Sequence, residues 1–362
     1  MKAFTFLLAI TFYFSTITSL KCQTNLWKID TEHGSGFIDK NGKIVIKPVY
    51  DQVSKNFSDG LAWFTKNGKD GYIDTCGNIA FFLKDTWFNF NEGLAPYFSN
   101  HKLCFINKSG KIAFFPKYLN YYIGCELPHA GKPSFSEGLA AVVIQEKPNV
   151  DVSGYIFINK KGKNEFNTIF IYADNFSEGL AFVECKNHET GYIDKNSKFI
   201  IKLKNEQAGN KFSEGFAAVY DANNKSFYID KKGKRICESV FGIADPFSEG
   251  MARIRGESIT DNYGYIDTRG TIAIEPIYCN ASDFLDGVAF VGTSNTENGK
   301  NKYRTYIINK TGRILFGPFE DISMHYRIND LAYCTKYMQN QTTIGIYLNK
   351  EGEIVWSNDI AH

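Results

Sequence analysis

Apolar runs and short polar breaks alternate along this chain, and the alternation repeats. The stretch GFIDKNGKIVI, from Gly36 to Ile46, returns as GYIDTCGNIAF from Gly71, CFINKSGKIAF from Cys104 and GYIDTRGTIAI from Gly264. Looser copies begin near Tyr155, Gly191, Phe227, Thr305 and Gly345, making nine, mostly about 35 to 40 residues apart. In the first copy Phe37 and Ile38 enter a polar break, and Ile44, Val45 and Ile46 leave it. Short apolar runs on either side of four turn-forming residues predict a β-hairpin.

The break itself carries turn chemistry. Its first position is Asp39, Asp74, Asn107, Asn159, Asp194, Asp230, Asp267, Asn309 or Asn349, and its fourth is Gly in every copy except at Ser197. An Asx side chain bonds the backbone two residues on, and Gly accepts positive φ without cost, which suits a type I turn closed by a left-handed Gly. The turn at Ser197 is expected to be strained or of another type. An aromatic precedes Ile or Leu in most copies (Phe37, Tyr72, Phe105, Phe157, Tyr192, Tyr228, Tyr265, Tyr347). Neighbours in a strand face opposite ways, so both faces of each hairpin are apolar and need cover.

A second signature lies between the hairpins: FSDGLAWF from Phe57, FSEGLAAV from Phe135, FSEGLAFV from Phe176, FSEGFAAV from Phe212 and FSEGMARI from Phe247. It predicts a reversal at the Gly and a third strand beyond it. Two residues after the Gly position stands Ala in eight copies, from Ala62 to Ala332. Ala is a mediocre strand former, so close approach of a neighbouring repeat is the better reason for it. Phe57, Phe90, Phe135, Phe176, Phe212, Phe247 and Phe284 are the large residues expected to fill the space beside it. The acid of the signature (Asp59, Glu92, Glu137, Glu178, Glu214, Glu249, Asp286) recurs once per repeat, which fits a structural hydrogen bond better than catalysis.

With both signatures in hand, the chain resembles the WG-repeat family, whose units read roughly W/Y-G-Y-I-D-x-x-G-x-x-V-I-x-P…F-x-E-G-L-A-x-V. The resemblance covers nearly everything after residue 25, as about eight full units and a terminal half. The Trp that often precedes the motif Gly is here Ser35, Asp70, Ser153, Thr190, Tyr263 or Ile344, and the later Pro persists only as Pro48, Pro116, Pro276 and Pro318. The resemblance implies an all-β repeat fold and names no activity. The expected architecture for residues 23–362 is a solenoid or open superhelical array of hairpins and meanders. A closed β-propeller is the alternative, since units of this length also fit a blade.

The chain opens MKAFTFLLAITFYFSTITSLKCQ, with a charged Lys2, an apolar run from Ala3 to Phe14 and a small polar stretch after it. Residues 1–22 are read as a secretory signal peptide. Lys21 stands where lipidation of Cys22 wants a small residue. No later stretch has the roughly 20 apolar residues of a spanning helix. The expectation is a monomer that is secreted, periplasmic or at the cell surface.

Composition adds exclusions. There are 41 basic and 39 acidic residues, so charge gives no case for nucleic acid. The eight Cys are scattered and form no CxxC, so most read as small buried residues, with room for one or two disulfides. The DKNG turns lack the further oxygen ligands of a calcium loop, and Cys185-x-x-His188 has no second zinc pair nearby. No metal site, cofactor or catalytic constellation is expected, which points away from an enzyme. Two irregular inserts stand out: Pro116 to Ser134, with Tyr118, Tyr121 and Tyr122, and the polar Gly292 to Lys302. Function in repeat arrays often sits where one repeat lengthens, and Tyr is enriched at recognition surfaces. The three tyrosines are the candidate contact for a protein or glycan partner. The competing expectation is an enzyme whose site is assembled from inserts or at a propeller centre.

Overall fold

The computed structural model describes residues 25–358 except 101, 117–132, 145–153, 204–207, 224, 238–240, 257, 259–260, 298–299 and 339–341. The proposed signal peptide and Tyr118, Tyr121 and Tyr122 lie outside the described residues. Every regular element among the described residues is a strand, and the strands form nine antiparallel sheets in chain order. Sheets 1 to 9 span residues 27–50, 52–82, 94–114, 139–159, 172–202, 208–230, 243–278, 280–320 and 322–357.

The turns form as the sequence predicts. Asp39 Oδ1 accepts the N–H groups of Asn41 and Lys43 at 2.9 and 3.0 Å, and Asn349 Oδ1 those of Glu351 and Glu353 at 3.1 and 2.8 Å. The seven turns between repeat the pair of bonds. Gly42 closes the first at φ 80° with its N–H on Asp39 O at 3.0 Å. Ser197 makes the same bond, to Asp194 O at 3.0 Å, at φ 61°. The turn is therefore not of another type. Its strain is that of a side chain in the left-handed region.

The junctions between sheets hold the core. In seven of them the motif aromatic of one sheet meets the signature Phe of the next, from Phe37–Phe57 at 4.8 Å and Tyr72–Phe90 at 5.0 Å to Tyr265–Phe284 at 4.8 Å. Where the aromatic is Tyr, its hydroxyl donates to a backbone carbonyl in the following sheet's entry segment, as from Tyr228 to Asp245 O at 2.6 Å and Tyr265 to Ser282 O at 2.7 Å. The Ala positions are all 2% exposed or less. Each sits inside a core shared by two sheets, as Ala140 does among Phe105, Phe135 and Ile158.

The expected open array is not what forms. Nine sheets in a row have eight junctions, yet there are nine junction cores. The ninth joins Trp27, Ile29 and Ile38 of sheet 1 to Leu331, Tyr347 and Trp356 of sheet 9. Trp27 Nε1 donates to Ile328 O at 2.6 Å, and the Tyr347 hydroxyl donates to Lys28 O at 2.7 Å. The molecule is a closed β-propeller. The three strands expected per unit are also too few. Five of the nine sheets have a fourth, and in four of these it is only two residues long: Gln52–Val53, Tyr172–Ala173, Ile243–Ala244 and Asn280–Ala281. Two residues show no periodicity to read.

These short strands face the axis. The chain just beyond them, on either side of the signature Phe, comes from five successive sheets to line one cavity, which places it at the axis. The last strands of sheets 2, 3, 5, 7 and 8 lie outermost and expose Ile79, Phe82, Ile112, Ile200, Ile272 and Ile314. Pro276 and Pro318 fall in these outer strands and Pro48 in the last strand of sheet 1, where a missing N–H interrupts an edge that could otherwise pair with another chain. The insert Gly292 to Lys302 lies mostly in strand. It lengthens one hairpin so that Val288–Glu297 pairs with Lys300–Asn309 through ten residue pairs.

Candidate binding site

The second signature builds a belt of loops around one end of the axis. In each loop the acid takes positive φ, as at Glu178 (53°), and the Gly follows at φ 85°. That geometry turns the Gly N–H toward the preceding loop. Glu92 accepts from Gly138 at 3.0 Å, Glu178 from Gly215 at 2.9 Å, Glu214 from Gly250 at 2.7 Å and Glu249 from Gly287 at 2.9 Å. The Ser before the acid ties the same loops, its hydroxyl donating to the next Phe carbonyl: Ser136 to Phe176 O and Ser177 to Phe212 O, both at 2.7 Å. A Lys from the following sheet's turn completes the contact: Lys160 on Glu92 at 3.0 Å, Lys195 on Glu137 at 3.1 Å, Lys231 on Glu178 at 3.0 Å. Burial pulls the carboxyls of Glu92 and Glu178 upward, but the bonds from lysine and backbone N–H outweigh it and hold both below the ordinary range. The recurring acid is structural.

Above the belt lies a cavity of about 550 Å³ lined by Asn91, Ser134, Ser136, Asp174, Asn175, Ser177, Asn210, Lys211 and Pro246, with Phe135 and Phe176 behind them. The polar lining comes mainly from the residue or two preceding the signature Phe in successive sheets. Asp174 Oδ1 accepts the Tyr172 hydroxyl at 2.8 Å. Burial raises the Asp174 carboxyl above its usual range, with Tyr172 and Lys211 opposing. Asn175 Oδ1 accepts the Ala141 N–H at 3.0 Å, and Asn210 Nδ2 donates to the Tyr220 hydroxyl at 3.1 Å. Farther round the ring, the Arg253 guanidinium bridges Asp245 and Asp283, both at 3.1 Å.

The family described as WG containing repeat matches residues 36–69, 157–187, 191–225, 227–255 and 263–295. The chain belongs to the WG-repeat family. Each matched segment crosses a junction: residues 36–69 begin in sheet 1 and end in sheet 2. The WG-repeat ring is similar in fold to a crystal structure of a eukaryotic initiation factor, with TM-score 0.61 at 9% identity over 92% of this chain and 96% of that one. It is less similar to BamB from Moraxella catarrhalis (TM-score 0.41, 11% identity, 75% and 86% covered). Apo AztD from Citrobacter koseri stands at the same level (TM-score 0.41, 11% identity, 92% and 95% covered). The sequence matches no curated protein.

Sequence reasoning about the WG repeats placed the belt carboxylates and missed the cavity. The positions before the Phe read Asn56, Asn89, Ser134, Asn175, Lys211, Pro246 and Asp283, so Asn recurs but no residue type runs through the register. The signal was a run of small or polar residues in one register. Among the described residues no three His, Cys, Asp or Glu side chains gather as a metal site requires. Cys185 and His188 share a hairpin, but His188 Nδ1 contacts Glu184 at 2.9 Å. Cys104 and Cys334 are buried and free; Cys185 is free and half-buried, and Cys279 is free and exposed. Cys76 is in a disulfide.

The belt changes character at the WG-repeat junction of sheets 8 and 9. Arg327 takes the Phe position and Ile307 the aromatic position, and Asp330 replaces the Gly. Asp330 therefore meets Asp286 carboxyl to carboxyl, with Lys40 and Lys350 nearby. Burial, then the hydrogen bond to Asp286 and its repulsion, raise the Asp330 carboxyl above the usual range; the two lysines oppose. A carboxyl raised on folding stabilises the fold below its unfolded value, and that share is lost as pH rises through the folded value. Asp330→Asn keeps the hydrogen bond and removes the titration. Relative to the native chain, the variant should therefore gain stability as pH rises above the ordinary carboxylate range, by less than about 1 kcal/mol because the pair is largely solvated. Denaturation midpoints of both proteins from that range upward test this, and parallel pH curves would reject it.

Proposed function

We propose that the protein is an exported, non-enzymatic binding module of the cell envelope, with the axial cavity as its contact site. One observation supports this reading: the cavity draws its polar lining mainly from equivalent positions of successive repeats, each filled by a different residue type. An enzyme needs one asymmetric constellation of acid, base or nucleophile, and repeated equivalent positions suit recognition. The apolar opening of the sequence supports export, and the mature chain should begin near Cys22. At their level of identity the structural likenesses speak to fold alone.

The experiment is retention of envelope-extract components on three immobilised proteins: the mature chain, the double variant Asn175→Trp/Asn210→Trp, and the triple variant Tyr118→Ser/Tyr121→Ser/Tyr122→Ser. Circular dichroism first confirms that all three are folded. Filling the cavity should abolish retention of components that the native chain holds. Identical recovery from the native and cavity-filled proteins rules the cavity out, and loss confined to the tyrosine variant moves the contact to the insert.

A further inference from the structure

Several groups around the cavity have hydrogen-bonding capacity that the fold does not use. Asn175 uses its oxygen on Ala141, and among the described residues its amide nitrogen has no protein partner. Asn210 uses its nitrogen on Tyr220 and leaves its oxygen. Asp174 uses one oxygen on Tyr172 and leaves the other. Ser134 adds a hydroxyl, and Lys211 an exposed ammonium near Asp174. The open set therefore mixes donors and acceptors, with one negative and one positive group.

Three ligand classes fit this set poorly. A phosphate or polyanion wants several cations or a row of convergent N–H groups; here a single Lys faces an Asp, and the Gly N–H groups of the belt are taken by carboxylates. A nucleobase wants an open aromatic face, whereas Phe135 and Phe176 are 2% and 1% exposed. An extended peptide binds by adding a strand to a sheet edge, but the axis-facing strands here, Tyr172–Ala173, Ala208–Gly209 and Ile243–Ala244, are two residues long.

A neutral sugar fits. Each of its hydroxyls both donates and accepts, so it matches carboxamides, a carboxylate and a hydroxyl set side by side. The volume of about 550 Å³ is within the range of small-molecule sites and leaves room for more than one ring. We propose that the axial cavity binds a neutral oligosaccharide, with Asp174, Asn175, Asn210 and Lys211 as its hydrogen-bonding contacts. This rests on the cavity being the contact site and adds the chemical class of the ligand.

The test screens the mature chain against arrayed neutral α- and β-linked oligosaccharides, followed by titration calorimetry of the best binder. Controls are glucose 6-phosphate, spermidine and an extended lysine-rich peptide. At least one neutral oligosaccharide should bind, with little change between low and high salt, since no charge pairing with the ligand is involved. Asn175→Ala and Asn210→Ala should each weaken it at least tenfold; each also loses a hydrogen bond of the fold, to Ala141 and Tyr220, so circular dichroism first confirms that both variants are folded at the assay temperature. Absence of binding to every neutral oligosaccharide at millimolar concentration overturns the proposal, as does binding that both variants retain. Binding of the peptide alone assigns the cavity to a protein partner. If envelope components are held through the cavity while no sugar binds, this inference fails and the binding-module reading stands.

Discussion

Trp27→Ala is expected to cost about 3–5 kcal/mol of stability, the range for truncating a large buried aromatic. Trp27 is 1% exposed, although it begins the first strand of the first sheet. It is covered by sheet 9, where it packs with Leu331, Tyr347 and Trp356, and its indole N–H reaches Ile328 O. The truncation leaves a void between sheets 1 and 9 and an acceptor without its donor. In an open array the same residue would lie on a free terminal face, where substitutions usually shift stability by no more than about 0.5 kcal/mol. Denaturant titration of the two proteins separates these outcomes. An unchanged midpoint would mean that the ring does not close through this contact.

Ala181→Leu is expected to cost about 1–3 kcal/mol by overpacking. Ala181 is 1% exposed in the core between sheets 4 and 5, together with Phe157, Phe176 and Ile193. Interiors packed to crystal density have no room for three more carbons without moving a ring or the backbone. The measurement is again the denaturation midpoint. No shift would show that the methyl has free space around it, and that the recurrence of Ala needs another cause.

The sequence stated some features of the fold several times over, and those were legible. Asp39 and its eight counterparts carry their own turn chemistry, so the hairpins follow from local physics alone. The Ala positions and the belt carboxylates recur in one register, so their role could be inferred from repetition before any contact was seen. Closure is a different kind of property. It depends on the angle between adjacent sheets summed around the whole chain, and no single repeat states that angle. The closing residues also break the pattern that made the others readable. Trp27 stands where later repeats have Ala, and Arg327 where they have Phe. The cavity was hidden for a related reason, because Asn175, Lys211 and Pro246 occupy one position with three chemistries. Recognition calls for such variety, and motif reading discards it.

The offset between repeat and sheet bears on how this protein can gain or lose length. A sequence unit such as residues 36–69 contributes strands to two adjacent sheets. Excising one unit rejoins two half-sheets into a whole one, so local pairing survives the cut. The circle does not: the remaining sheets would each have to turn further for sheet 9 to meet sheet 1 again, and every junction core would repack. In an open solenoid the change would stay with its nearest neighbours. Copy number in this chain is a property of the ring as a whole, so a gain or loss of one unit must be accommodated at every junction together.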